Sequence, residues 1–263
     1  SSPRALPPPH PPRPRRAAAN AAGAMEPPRP LEPLLVHAEA GDLAAMRAVE
    51  EVDLPKQLRA RDEDRRTALH RACAAGHAEA AEFLLGKGAD ADAADDEDWT
   101  PLHSCASKGS DALVGVLLEA RADANAATSS EAVALHMAAS KGHAAVTELL
   151  LAAGAKRNPR DRRGGTPLMR AAGTGKDKVV RQLLEARADP AIKDRSGETS
   201  LHIAINGQHM AVCEALMGRD EAEQLMAVEN GDGKTPAKLI ADMLPIEVRD
   251  TLKTLWQKAQ RGG

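Results

Sequence analysis

The sequence predicts an all-α solenoid of about six to seven helix-turn-helix repeats, each introduced by a β-turn that projects like a finger. One observation is a recurring four-residue opening, whose successive copies start 33 residues apart. A second is a leucine pair that follows most openings at nearly the same distance. A third is the composition, with 1% aromatic residues, no Tyr and abundant alanine. Small helix-forming residues suit closely packed helices, whereas a β-rich fold would need aromatic and β-branched residues. The openings read TALH, TPLH, VALH, TPLM and TSLH, starting at Thr67, Thr100, Val133, Thr166 and Thr199.

Each position of the repeat has a mechanical role. The opening threonine is expected to cap the first helix, and the following proline suits a helix start, where a backbone N–H is not needed. A glycine about nine residues later allows a sharp turn into the second helix. The leucine pairs form the core of that second helix. Gly88 and Gly154 end it, whereas Arg121 and Arg187 stand at the equivalent positions, where we expect slight backbone strain.

A period near 33 residues with T-P-L-H openings is the signature of ankyrin repeats, a β-turn plus two antiparallel helices. The chain resembles the ankyrin-repeat family over about residues 31–245. We predict an N-terminal capping repeat at 31–66 and a C-terminal cap at 235–263. Between them we predict five repeats, at 67–99, 100–132, 133–165, 166–198 and 199–234.

The ends of the array depart from the pattern. Two short helices around Gly41-Asp42 are expected in the first capping repeat, followed by a loop from Leu54 to Arg66. In the fifth repeat Gln208 holds the inter-helix glycine position, and extra residues between 217 and 233 predict a longer second helix or loop. In the C-terminal cap we expect one helix from Pro236 and a second from Ile246, with Ile246, Leu252 and Leu255 facing the array.

Residues 1–30 are rich in Pro, Ala and Arg, a composition that predicts an extended or disordered segment. Its acid-free, arginine-containing start invites comparison with an organelle transit peptide, but the prolines oppose the amphipathic helix that such a peptide needs. Our preferred interpretation is that translation starts at Met25.

Composition and motifs disfavour several function classes. The net charge is −3, and it is near −7 without residues 1–24, which carry four arginines and no acid. This acidic excess argues against nucleic-acid binding. No apolar run is long enough to span a membrane. The three cysteines, Cys73, Cys105 and Cys213, lie at apolar helix positions and are expected to be buried thiols. The histidines recur in rows without metal-type spacing, and those that end the openings are expected to hydrogen-bond the turn backbone in a repeated structural role. No catalytic or phosphate-binding motif is present, so we expect no enzyme, cofactor or metal.

With these function classes disfavoured, the sequence predicts a protein-binding surface. In such arrays the turn tips and the ends of the first helices reach a partner along a concave face. The second finger is acidic, from Asp95 to Asp98, whereas the approach to the fourth, Lys156 to Arg163, is basic. A pair of opposite charge runs favours a partner of complementary polarity, although solvated loops are the alternative. Trp99 at the second tip is either packed on the adjacent finger or a contact anchor.

Some finger residues resemble a narrower group, the gankyrin family of proteasome regulatory-particle assembly chaperones. The matches are the run from Asp62 to His77, Glu82 to Leu85, Asp95 to His103 with its tryptophan, Ala138 to Lys141, and Lys234 to Pro236. The resemblance implies a monomeric chaperone of the cytoplasm, and by extension the nucleus, whose concave face holds the C-terminal domain of a proteasomal ATPase subunit. The contact residues that we expect, from the family and from the finger charges, are Asp64, Arg66, Asp96, Trp99, Lys108, Lys141, Arg162 and Arg163.

Two features of the sequence differ from the gankyrin family. The family's retinoblastoma-type L-x-C-x-E motif would fall at Leu201–Ile205, which reads LHIAI and lacks both the cysteine and the glutamate. The basic run before the fourth repeat has no counterpart. A generic ankyrin scaffold or signalling adaptor, or an inhibitor of cyclin-dependent kinases, is the alternative function.

Overall fold

The helices of the array stack in two parallel rows. In the computed structural model the described residues are 32–49, 51, 53–218, 222–242 and 246–261. The expected disorder of residues 1–30 and the proposed start at Met25 lie outside them. Within the described part the helices are α1 (Pro33–Ala40), α2 (Leu43–Arg47), α3 (Leu54–Leu58), α4 (Ala68–Ala75), α5 (Ala78–Gly86), α6 (Pro101–Lys108), α7 (Asp111–Glu119), α8 (Ala134–Lys141), α9 (Ala144–Ala152), α10 (Pro167–Gly173), α11 (Asp177–Glu185), α12 (Ser200–Asn206), α13 (Met210–Met217), α14 (Ala222–Ala227), α15 (Pro236–Asp242) and α16 (Ile246–Arg261).

The first helices of successive repeats pack on one another in the order α1, α4, α6, α8, α10, α12 and α15. The second helices form the other row, α2, α5, α7, α9, α11, α13 and α16. Each repeat therefore buries apolar surface only against its neighbours, as expected for a solenoid. The all-α repeat fold predicted from the 33-residue period is confirmed, and the described residues contain one isolated β-bridge, between Ala127 and Val133.

The core consists of the residues that recur. Leu69, Leu102, Leu135, Leu168 and Leu201, at the third position of each opening, are at most 1% exposed. One or both members of each later leucine pair are also buried. The three cysteines are free and buried within the same core, as expected.

Local backbone geometry confirms the predicted turns. Gly76, Gly109, Gly142 and Gly175 between the paired helices have φ between 68° and 95°, the left-handed region that favours glycine. Arg121 and Arg187, which replace glycine after the second helix, have φ of 65° and 63°. These two arginines therefore hold a conformation that L-residues rarely adopt.

Two connections differ from the sequence prediction. The expected loop from Leu54 to Arg66 begins with a short helix, α3, which packs against α1 of the capping repeat and buries Leu54. The longer second helix or loop expected in the fifth repeat contains an additional helix, with α13 ending at Met217 and a separate α14 that buries Leu225 and Met226. In the C-terminal cap Leu252 is buried as predicted. The side chains of Ile246 and Leu255 lie outside the described part.

Candidate protein-binding surface

The fingers are turns built around the side chain of their first residue. In the first finger Asp62 Oδ1 accepts hydrogen bonds from the backbone N–H groups of Asp64 (3.0 Å) and Arg66 (2.8 Å). Because one oxygen holds two amides, the turn is closed before any partner binds. The same pattern recurs at Asp95, Asp161, Asp194 and Asn230. The third finger uses Thr128, whose hydroxyl accepts from the N–H of Ala132 at 3.3 Å.

Neighbouring finger tips are joined by backbone hydrogen bonds. The N–H of Asp96 donates to the carbonyl of Asp64 at 3.1 Å. Equivalent bonds link each later finger to the one before it, at 2.8 to 3.0 Å: Ser129 to Glu97, Arg162 to Ser130, Arg195 to Arg163 and Gly231 to Ser196. The tips thus form one continuous edge whose backbone positions are set by the fold.

A histidine in most openings ties its own repeat to the next finger. His70 Nδ1 accepts from the N–H of Thr67 (3.1 Å), and its Nε2 donates to the carbonyl of Trp99 (2.9 Å). The Thr67 hydroxyl lies 2.9 Å from the same Nδ1, so the ring shares the capping role expected of threonine alone. His103, His136 and His202 repeat the bridge to the carbonyls of Ala132, Gly165 and Lys234. In the fourth repeat the residue is Met169, and the threonine hydroxyl accepts its N–H at 3.3 Å.

These four histidines are neutral structural groups. Burial lowers the pKa of each one, and the hydrogen bond to the carbonyl offsets only part of that effect. For His103 the pKa falls to about 4. The structural role predicted for this row is confirmed, because each ring nitrogen already has a backbone partner.

A second row of contacts runs in the opposite direction, toward the preceding repeat. His77, His143 and His209 donate from Nε2 to the carbonyls of Glu39, Ser107 and Gly173, at 3.1 to 3.2 Å. Lys108 joins this row, because its ammonium lies 2.8 Å from the carbonyls of both Ala74 and Ala75. This predicted contact residue therefore satisfies the C-terminal end of α4, a structural role that sequence reasoning did not assign to it.

The first two fingers form a compact charged cluster. The Arg66 guanidinium lies 3.3 Å from Asp64 and 3.8 Å from Asp95, and that of Arg65 lies 3.7 Å from Asp96. The acidic run of the second finger is thus partly neutralised by the first finger, which the charge pattern did not reveal. Exposed ion pairs of this kind contribute about 0–1 kcal/mol, so the same charges can exchange partners readily.

Trp99 lies beside this cluster and is half-buried. Its indole Nε1 donates to the hydroxyl of Ser104 at 2.8 Å, and its ring lies 5.4 Å from that of His103 at an angle of 41°. The indole thus rests on α6, the helix that follows it in the chain, and is held in one orientation while part of it faces solvent.

Two arginines on first helices were missed by sequence reasoning. Arg170 on α10 donates from Nε (3.0 Å) and Nη2 (2.5 Å) to Oδ2 of Asp161. Arg71 on α4 holds Asp62 in the same way and also pairs with Glu39. The sequence pattern that could have identified these two arginines is an arginine nine residues after the turn aspartate, which occurs in the first and fourth repeats. Burial raises the pKa of Asp161, but the hydrogen bonds from Arg170 and the turn amides outweigh it and leave the pKa below its usual value.

The burial of Asp161 differs from what was expected of the fourth finger. The turn tips were expected to reach a partner, yet at this finger Asp161, Gly164 and Gly165 are buried. Their burial follows from the closed turn and its Arg170 clamp. Arg162 and Arg163 remain exposed at this tip, with the Arg162 guanidinium bonded to the carbonyl of Ser129.

The structure thus separates the predicted contact residues into three places. Asp64, Arg66, Asp96 and Trp99 come together on the first two fingers. Lys108 and Lys141 lie at the C-terminal ends of α6 and α8, and Lys141 is exposed, with no ion pair to another described residue. Arg162 and Arg163 lie on the fourth finger.

A stack of helix pairs with an exposed, charged edge of turns defines a repeat scaffold of the protein-binding class. Among the described residues, no helix is long and apolar enough to cross a membrane. A family model for ankyrin repeats, in three copies, matches residues 34–128 and 124–194. The chain belongs to the ankyrin-repeat family.

Among solved structures, the ankyrin repeat domain of Bcl-3, a unique member of the IkappaB protein family, is similar with a TM-score of 0.72. The match covers 84% of this chain and 98% of that domain at 23% sequence identity, and it shows the shared fold. No curated protein matches the sequence.

Proposed function

We propose that this protein is an assembly chaperone of the gankyrin type, which binds the C-terminal domain of one ATPase subunit of the proteasome regulatory particle. It would act as a monomer in the cytoplasm and nucleus and delay docking of the ATPase ring on the core particle. The general part of this function, a protein-binding ankyrin module, follows from the family. The particular partner is the proposal.

One observation carries the proposal: Arg66 lies between Asp64 and Asp95 at the junction of two fingers, and the backbone N–H of Trp99 donates to the same Asp95. These are the residues on which the resemblance to the chaperone family depends. Their contiguity means that one partner surface can meet both charges and the indole at once. The indole offers apolar area in a fixed orientation, whereas the charges favour correct orientation and rapid association.

Lys141 extends the surface along the first helices. Its ammonium has no carboxylate partner among the described residues, and α8 is two repeats away from α4. An acidic group on the partner would therefore be attracted to Lys141 while a basic group meets Asp64 or Asp96. Such a spread of charges specifies orientation better than one ion pair does.

The direct experiment is a pull-down with the separate C-terminal domains of the proteasomal ATPases. We expect one domain to be retained in preference to the others. Equal retention of all domains, or retention of none, would contradict the assembly function and leave a general scaffold as the interpretation.

A charge-reversed variant then tests the face. Arg66→Glu combined with Lys141→Glu should weaken binding of the preferred domain, and more strongly at low salt, where screening is least. The matched control is Lys178→Glu with Arg181→Glu, two exposed positions on α11 that change the net charge equally. Equal loss in both variants would show that net charge, and not this face, governs binding.

A further inference from the structure

The fourth finger carries a concentration of positive charge that the proposed function does not use. Five cations lie between residues 156 and 163, Lys156, Arg157, Arg160, Arg162 and Arg163, against the single acid Asp161. All five are exposed. Asp161 is 4% exposed, with Oδ1 held by the amides of Arg163 and Gly165 and Oδ2 held by Arg170. Its negative charge is therefore already matched by Arg170, outside the run.

None of the five cations forms an ion pair with a described carboxylate. The Arg157 guanidinium donates to the carbonyl of Ala186 at 3.1 Å, and that of Arg160 donates to the carbonyl of Lys193 at 2.7 Å. A carbonyl orients a guanidinium but leaves its charge uncompensated. The neighbouring acids have polar partners of their own: Glu97 of the second finger accepts from the hydroxyl of Ser129, and on the fifth finger Asp194 accepts two turn amides and Glu198 accepts from Asn206. Glu131 is the one acid of the third finger.

The first two fingers provide an internal comparison. There Arg65, Arg66 and Arg71 each face at least one carboxylate. The same fold with the same turn geometry thus neutralises its arginines at one place and leaves them unpaired at another. Uncompensated like charges repel one another and oppose folding. An external anion that binds there therefore reduces this repulsion.

The backbone beneath these cations is held on both sides. The N–H of Arg162 donates to Ser130 at 2.8 Å, and the carbonyl of Arg163 accepts from Arg195 at 3.0 Å. The third finger beside them presents Ser129 and Ser130, which are small and uncharged. The Arg162 guanidinium lies against this finger, bonded to the carbonyl of Ser129, whereas the Arg163 side chain makes no hydrogen bond to a described residue. Both arginines remain exposed on an edge whose backbone is fixed.

We propose that the third and fourth fingers form a docking surface for an extended, acidic segment of a protein partner, rich in Asp and Glu. Arginine suits this role because its planar guanidinium binds a carboxylate through two parallel hydrogen bonds. Nucleic acid fits less well, since residues 25–263 carry an acidic excess and the second finger of the same edge is itself acidic. The surface is separate from the Asp64–Arg66–Trp99 cluster, so it extends the proposed function without depending on the ATPase as partner.

The test uses the full chain and a fluorescein-labelled peptide of alternating Glu and Asp, with a peptide of alternating Gln and Asn as the uncharged probe. Fluorescence anisotropy should show saturable binding of the acidic peptide that weakens as salt rises, and no binding of the uncharged one. Arg162→Gln with Arg163→Gln should weaken binding roughly tenfold, because two charge-assisted pairs are lost. Lys178→Gln with Arg181→Gln on α11 is the matched control and should bind as the parent does.

The fold of each variant is checked by circular dichroism and thermal melting. If the Arg162/Arg163 variant melts early, Arg163→Gln alone is used, since the Arg163 side chain makes no hydrogen bond to a described residue. Absence of saturable binding, equal loss in the α11 control, or tighter binding of a single-stranded RNA than of the acidic peptide would each overturn the proposal. Arg66→Glu with Lys141→Glu should leave peptide binding intact, so this surface and the ATPase-binding face can fail independently.

Discussion

The imidazole of His70 donates a 2.9 Å hydrogen bond to the carbonyl of Trp99, the residue at the tip of the next finger. A buried group of the repeat core thus sets the backbone position of the proposed contact anchor. Because His70 Nδ1 also accepts from the N–H of Thr67, one ring connects the start of α4 to the second finger. Stability and binding are coupled at this point.

Replacing His70 by Ala should therefore affect both properties. The change leaves the Thr67 amide and the Trp99 carbonyl without partners, and we expect a loss of about 3 kcal/mol in the free energy of unfolding. Urea denaturation measures this loss. The control is Met169→Leu at the equivalent position of the fourth repeat, a swap of similar volume that should cost less than about 1.5 kcal/mol. Equal costs would contradict the bridging role.

The row of buried histidines predicts that the array loses stability on mild acidification. In the folded protein the pKa values of these histidines lie below the ordinary value of 6.5, and that of His103 is about 4. Just below pH 6.5 the unfolded chain therefore binds protons that the folded chain does not bind. Stability present above pH 6.5 is then lost as the pH falls below it, and for His103 this loss continues toward pH 4, by up to about 1.4 kcal/mol per pH unit.

His103→Asn should reduce that slope between pH 6.5 and 5, a range above the usual pKa of most carboxyl groups. The measurement is urea denaturation at several pH values. Met169→Leu, which removes no titrating group, should keep the slope of the parent. A slope unchanged in His103→Asn would show that this histidine is not held neutral by the fold.

The turn aspartates should differ in their contribution to stability. Asp161→Ala removes the acceptor of two amides and leaves Arg170 without its carboxylate, for an expected loss of about 3 kcal/mol. Asp194 accepts the amides of Ser196 and Glu198 at 2.8 and 2.9 Å, but the residue nine positions later is Ile203. Asp194→Ala should therefore cost only about 1–2 kcal/mol. Chemical denaturation of both variants measures the two losses of stability. A larger loss for Asp194→Ala than for Asp161→Ala would contradict this prediction.

Arg121 offers a stabilising substitution. Its φ of 65° is strained for an L-residue, and glycine occupies the equivalent place at Gly88 and Gly154. Arg121→Gly should raise the melting temperature by relieving about 1–2 kcal/mol of strain, reduced by roughly 0.5–1 kcal/mol of added chain entropy. Arg121→Ala keeps the Cβ and should give no gain. A gain from alanine would point to the arginine side chain, not the backbone, as the source of the strain.

Much of this surface could be predicted from the sequence, because equivalent residues recur at the same position of each repeat. Once Thr67 and Thr100 are aligned, the positions of fingers, turns and leucines follow along the chain. The extra helices α3 and α14 could not be read in this way, since they lie where the period is broken. Their apolar residues become meaningful only against the neighbouring repeat that buries them.

The sequence by itself determined the fold, the capping and turn residues, the structural role of the histidines and the positions of the charged fingers. These depend on spacing and residue type, which a periodic chain displays directly. Only the tertiary structure decided which charges are paired: Arg66 lies between Asp64 and Asp95, Asp161 is buried under Arg170, and the cations from Lys156 to Arg163 have no carboxylate partner among the described residues. Pairing depends on distances between side chains of different fingers, and those distances exist only once the repeats have stacked.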